Sequence, residues 1–172
     1  LSQMISRCRR ALNWLGENSR NYGFKKRRIH VMGHSAGAHL LACAISPRIQ
    51  DHDHSALLAR PQRAILIGGI YDLEPISQTY VNEPLGLSIE SARALSPQFY
   101  DTDPLVSLDI VYAEHETKEF IRQSKDYADK CSRITADTKF REVQGRHHFD
   151  IMCDIARTDT VIFQQLSAYP EK

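Results

Sequence analysis

Apolar positions along the chain follow two rhythms. Met4, Ile5, Cys8, Ala11, Leu12 and Leu15 recur at helical spacing, with Arg7, Arg9, Arg10 and Asn13 between them. They predict an amphipathic helix near the start, ended by Gly23. Ile29 to Met32 is a short apolar run, read as a buried strand. Ala38, Leu40, Leu41, Ala42, Ala44 and Ile45 then predict a mostly buried helix that stops at Ser46-Pro47. Residues 48–62 are polar and read as a loop or short exposed helix. Ala64 to Ile67 is a second strand, closed by Gly68-Gly69. Between 70 and 107, Pro75, Pro84, Pro97 and Pro104 leave room only for short helices, with Ser88 to Leu95 one of them. Leu108 to Tyr112 reads as a third strand. Glu119 to Cys131 reads as a helix with Phe120, Tyr127 and Ala128 inward. Phe140 to Val143 is a fourth strand. Asp150 to Ala168 is a last helix carrying Ile151, Ile155, Ile162 and Leu166.

Strands alternating with helices imply crossover units, and hence an α/β fold: a parallel sheet of about four strands with helices on both faces. The length of 172 residues suits one domain. Apolar residues make up 42% and charged residues 25%, which excludes a disordered or collagen-like chain. No window approaches the ~18 uninterrupted apolar residues of a spanning helix, so no membrane association is expected.

Charge changes the picture only locally. The net formal charge is +1, which gives no general attraction to nucleic acid. Residues 1–28 nevertheless hold eight Lys/Arg against one acid, ending in Lys25-Lys26-Arg27-Arg28. No aromatic ladder accompanies that run, so it reads as a solvated loop rather than a nucleic-acid patch. Cys8, Cys43, Cys131 and Cys153 form no C-x-x-C pair and fit reduced thiols of a cytoplasmic protein. The basic run leaves the nucleus as a second compartment. Leu1 is followed by no charged-then-apolar leader, so a secretory signal is not expected.

Gly33-His34-Ser35-Ala36-Gly37 matches G-x-S-x-G, with an apolar strand before it and an Ala/Leu-rich helix after it. A strand turning straight into a helix forces its central residue into a strained conformation. Glycines two residues either side remove side chains that would clash there. The turn lifts the serine hydroxyl over the carboxyl end of the sheet, at a helix N-terminus whose free N–H groups can bind an oxyanion. A serine at its ordinary pKa needs a base and an orienting carboxylate. His147 and His148 follow the fourth strand, where the base belongs if the order is Ser, acid, His. His39 lies on the helix after the serine. His52-Asp53-His54 comes too early and lacks a third ligand cluster for a metal. For the acid, Glu114 and Glu116 follow the third strand, and Asp72 follows the second. Asp72 is also readable as a turn carboxylate bonding nearby backbone.

The strings Gly33-His34-Ser35-Ala36-Gly37-Ala38-His39-Leu40, Gly69-Ile70-Tyr71-Asp72-Leu73-Glu74-Pro75-Ile76, Ser96-Pro97 and His148-Phe149 resemble the kynurenine formamidase (arylformamidase) family. Those proteins are serine hydrolases of the α/β-hydrolase fold. The resemblance runs over nearly the whole chain. It implies Ser35 as nucleophile and His148 as base, from the string His148-Phe149-Asp150-Ile151. Counting back from Glu119-Phe120 places Glu116 at the acid position, where the family has aspartate. The Ala36 N–H would bind the oxyanion. No metal or organic cofactor is implied, and homodimers occur in such a family. The implied reaction converts N-formyl-L-kynurenine to L-kynurenine and formate, a step of tryptophan catabolism.

One family feature has no counterpart. An H-G-G segment upstream of the nucleophile supplies half of the oxyanion hole, and no H-G-G occurs here. Gly68-Gly69 follows Ile67 and lies after the second strand, so it cannot substitute. Residues 1–172 are therefore expected to be the C-terminal portion of a single α/β-hydrolase domain, with 70–107 as a helical, cap-like insertion. Alone they are expected to fold poorly and to show little activity. Tyr71, Tyr80, Phe99 and Tyr100 are candidates to pack on a substrate ring or simply on the core. The competing functional readings are a general carboxylesterase or lipase-like hydrolase, and a catalytically inactive binding protein.

Overall fold

The structure is a computed structural model and describes residues 1–25, 29–49, 57–135 and 137–167. The Lys26-Arg27-Arg28 part of the basic run and the His52-Asp53-His54 string lie outside the described residues. Four strands, β1 (His30–His34), β2 (Arg63–Ile67), β3 (Ser107–Ala113) and β4 (Thr138–Val143), form one parallel sheet in the order β1-β2-β3-β4. Each crossover carries helix: α2 (Ala36–Ala44) after β1, α3 (Glu74–Ser77) and α4 (Ile89–Ala94) after β2, and α5 (Lys118–Cys131) after β3. Helix α1 (Ser2–Asn18) precedes the sheet and α6 (Val161–Ser167) follows it.

The sheet is covered on both faces, so its central strands are largely apolar, and their one buried carboxylate, Asp109 of β3, pairs with Arg63 of β2 at 3.2 Å. Alternate residues of β2 and β3 point to opposite sides. Ala64, Leu66, Leu108 and Ile110 pack with Ala38, Leu41 and Ala42 of α2 and with Tyr127, Ala128 and Cys131 of α5. Ile65, Ile67, Val111 and Ala113 pack with Ile151 and with Ile162 of α6. Strand β4 is an edge, largely exposed, and carries Lys139, Arg141 and Glu142, charges that blunt edge-to-edge pairing. No helix among the described residues is long and apolar enough to cross a membrane.

Two expectations from the apolar pattern are corrected. In α1 the buried residues are Ile5, Ser6, Arg9, Leu12 and Gly16, whereas Met4 is 48% exposed and Ala11 is exposed. The inward face is therefore rotated to include an arginine. The Arg9 guanidinium donates to the carbonyls of Cys43, Ala44, Ser46 and Ile49, at the carboxyl end of α2. Cys43 and Ala44 close α2, where the negative end of the helix dipole lies, so a buried cation is stabilised there. The last helix is broken into a 3-10 segment, Asp150–Ala156, and α6. Thr160 Oγ1 donates to the Asp154 and Arg157 carbonyls, and Arg146 holds the buried Asp154 carboxylate at 2.8 and 3.0 Å. These bonds tie the break down where helical periodicity alone would run on.

Residues 70–107 hold α3, α4 and two single 3-10 turns, Tyr80–Asn82 and Pro97–Phe99, as the prolines dictate. Gln123 of α5 anchors the start of this segment: its Oε1 accepts from the Tyr71 and Asp72 N–H groups, and its Nε2 donates to the Asp72 carbonyl. Tyr71 is fully buried and stacks on Tyr127 at 4.1 Å, so it is core. Tyr80 is 88% exposed, and Phe99 lies under the Arg93 guanidinium.

Candidate active site

All four strands point their carboxyl ends to one edge, and each delivers a residue to the same place there. Backbone pairing continues past the strand ends: Ser35 N–H donates to the Ile67 carbonyl, Gly68 N–H to Val111, and Glu114 N–H to Val143. This holds the four exit loops in register. A crevice beyond the carboxyl ends of parallel strands is where open α/β sheets bind ligands.

Ser35 has φ +54° and ψ −120° and is the described non-glycine residue with positive φ. Strain of this kind is of order 1–3 kcal/mol and persists only where surrounding structure enforces it. The enforcement is visible. A side chain at Gly33 would lie 2.4 Å from the Gly37 carbonyl oxygen and 2.7 Å from the Ala38 nitrogen, so only glycine lets α2 start this close to β1. At Gly37 an added methyl group would meet nothing among the described residues, so the expected steric need is one-sided. The first amide bonded within α2 is that of Ala38, to the Ser35 carbonyl. The Ala36 and Gly37 N–H groups precede it, at the positive end of the helix.

His148 Nε2 lies 3.0 Å from Ser35 Oγ. His148 Nδ1 donates to both carboxylate oxygens of Glu116, at 2.9 and 3.0 Å. Ser35 follows β1, Glu116 follows β3 and His148 follows β4, so hydroxyl, imidazole and carboxylate form one chain of hydrogen bonds. The Glu116 side chain is 1% exposed and that of His148 19%, which excludes most water from the carboxylate–imidazole contact.

The other sequence candidates lie elsewhere. Glu114 accepts from the Gly145 N–H and fixes the loop after β4. Asp72 accepts from the Glu74 N–H and opens α3 as an Asx turn. His147 is exposed, and its Nδ1 accepts from the Phe149 N–H. His39 is buried under the sheet exit, where its Nδ1 donates to the Ile70 carbonyl. Burial holds its pKa down at about 4.

Sequence reasoning missed several groups that build the site. Gly68, at the exit of β2, has φ +49°, and a methyl group there would lie 2.7 Å from Glu116 Oε1 and 3.3 Å from His148 Nδ1. Its missing side chain is the space the glutamate carboxylate occupies. Phe120 and Phe149 flank the imidazole, with ring centroids 4.6 and 5.2 Å from it. His34, inside the motif, packs on the same ring at 4.6 Å. The His34 pKa is lowered, first by burial, and also by the neighbouring His148. A glycine pair at a strand exit and a histidine inside the motif were the available signals. Their partners lie tens of residues away, beyond local pattern.

The chain has similar sequences and folds among known proteins. The BD-FAE family model matches residues 1–82. Kynurenine formamidase from Danio rerio is 35% identical over 129 residues, covering 72% of this chain and 43% of the relative. Kynurenine formamidase from Drosophila melanogaster is 31% identical over 169 residues, covering 93% of this chain and 55% of the relative. Among solved structures, a provisionally assigned thioesterase from Silicibacter sp. superposes with a TM-score of 0.71 at 21% identity, covering 95% of this chain and 59% of that one. The chain spans about half the length of the curated relatives it matches.

Proposed function

Because this chain is a homologue of the kynurenine formamidases and has the sheet and crossovers of an α/β hydrolase, we propose that it carries the reacting side chains of a serine hydrolase that cleaves an aryl formamide. Ser35 is the nucleophile, His148 the base and Glu116 the orienting acid. The observation that carries the reading is the unbroken hydrogen-bonded line from Ser35 Oγ through His148 to Glu116, at the carboxyl edge of the sheet.

On this reading the reaction runs in two halves. Ser35 Oγ attacks the formyl carbon as its proton passes to His148 Nε2. Glu116 holds Nδ1–H and so fixes the tautomer that leaves Nε2 free to accept; it also stabilises the imidazolium that forms. The oxyanion of the tetrahedral intermediate lies at the start of α2, where the Ala36 N–H donates to it. The intermediate collapses by breaking the C–N bond, and His148 gives its proton to the leaving arylamine nitrogen. Water, deprotonated by His148, then attacks the formyl-serine; the ester C–O bond breaks, His148 returns that proton to Ser35 Oγ, and formate leaves. The substrate is N-formyl-L-kynurenine or a close aryl formamide. Residues 70–107, anchored on α5 through Gln123, serve as the cap over this edge.

The test compares turnover of N-formyl-L-kynurenine and of a short p-nitrophenyl ester by the whole purified protein. The reading requires a kcat/KM for the formamide well above that for the ester. An enzyme that hydrolyses the ester and leaves the formamide intact is a carboxylesterase and ends the aryl formamide assignment.

A further inference from the structure

His34, inside the serine motif, contacts the base. His34 Nε2 lies 2.7 Å from the His148 carbonyl oxygen, and a carbonyl can only accept, so Nε2 carries the proton. The His34 ring also lies against the His148 ring, 4.6 Å between centroids at 40°. Two contacts therefore join the last residue of β1 to the residue that bears the base, 114 positions later. Apart from the Glu116 and phenyl contacts of the imidazole, the remaining ties of the loop after β4 hold its flanks. Gly145 is held by Glu114, Arg146 by the His115 N–H and by Asp154, and His147 by Asp150. At His148 itself, the described main-chain bond is the one from His34.

We propose that His34 is a positioning residue for His148: its Nε2–H pins the main chain of the base, and its ring sets the plane of the imidazole, so that Nε2 of His148 stays on Ser35 Oγ. The inference rests on reading Ser35 and His148 as nucleophile and base. Neutral His34 suits the role, because the imidazolium formed at His148 and the carboxylate of Glu116 are the charged groups facing it. A neutral ring accepts a neighbouring cation without repulsion. A loop free to swing by an ångström would cost on the order of 10²-fold in rate, because proton transfer needs the near-attack geometry.

The experiment separates donor from ring. His34→Phe keeps a flat ring and removes the donor. His34→Gln places an amide N–H near the position of Nε2. The rate at which a neutral fluorophosphonate probe modifies Ser35 reports on the Ser35–His148 pair without reference to any formamide. His34→Phe is expected to slow labelling by about 10–100-fold, with kcat reduced and KM within about twofold. His34→Gln is expected to recover most of the native rate. Native labelling by His34→Phe, or a His34→Gln variant as slow as His34→Phe, overturns the proposal. Should His34→Phe fail to melt cooperatively, the native protein carries the test. ¹⁵N-histidine NMR must show His34 protonated at Nε2 with slow exchange, and a His34 protonated at Nδ1 instead refutes the hydrogen bond. A native protein that labels at Ser35 but leaves formyl-kynurenine intact loses the substrate assignment and keeps this one.

Discussion

Gly68→Ala tests how the site accommodates its acid. Two costs are worked from the structure. Gly68 has φ +49°, where an L-residue costs about 1–2 kcal/mol relative to glycine. The new methyl group would also sit 2.7 Å from Glu116 Oε1. An ordinary van der Waals contact is ~3.5 Å, so the carboxylate must retreat by ~0.8 Å. Its bonds to His148 Nδ1, now 2.9 and 3.0 Å, then pass the ~3.2 Å limit of a good hydrogen bond. Urea unfolding is expected to show a loss of about 1–2 kcal/mol, and kcat a fall of about 10²-fold. The cause is isolated by pairing the change with Glu116→Asp, whose carboxylate stands one methylene further back. Glu116→Asp alone lowers kcat through lost reach. Gly68→Ala added to it then costs stability but little further activity, so the two activity effects are strongly non-additive. Additive effects, or a Gly68→Ala enzyme with native kcat, would refute the claim that the missing side chain makes room for the carboxylate.

Other consequences are as direct. Arg9→Met leaves the carbonyls at the end of α2 without their cation, and a loss of at least about 3 kcal/mol is expected in chemical denaturation. Arg9→Lys recovers only part of it, because one ammonium cannot fork across the same set. His39, buried with a pKa of about 4 against an ordinary 6.5, binds its proton in the unfolded chain first. Its contribution is therefore intact above pH 6.5 and is lost as pH falls toward 4. It should remove about 2 kcal/mol of stability between pH 7 and pH 5. His39→Asn, which retains a donor for the Ile70 carbonyl, should flatten that part of the urea-midpoint profile, and an unchanged slope would exclude His39 as its source.

How much of this was legible in the chain depended on the distance over which each cause acts. The four strands and the serine turn rest on short apolar runs and on a five-residue motif, so local pattern sufficed. The strand bounds moved by only one or two residues. The inner face of α1 is not legible locally, because Arg9 is held by carbonyls 34 to 40 positions later and periodicity treats any arginine as outward. The break in the last helix leaves no mark in the apolar spacing, because it is held by the Thr160 hydroxyl on the Asp154 carbonyl. Among the acids, Glu114, Glu116 and Asp72 all sit at strand exits. The difference between them is which other loop each one meets: Gly145, the His148 imidazole or the first turn of α3. The roles of Gly68 and His34 depend on contacts between exit loops of different strands, and a single strand–turn–helix unit cannot show them.

The account stands on a proton path between Ser35 and His148. Intact-protein and peptide mass spectrometry after exposure of the whole protein to a fluorophosphonate measures it most directly. The account predicts one adduct, on Ser35, formed at least about 10²-fold more slowly when His148 is replaced by glutamine. An unmodified Ser35, or a rate indifferent to the His148→Gln change, would contradict it.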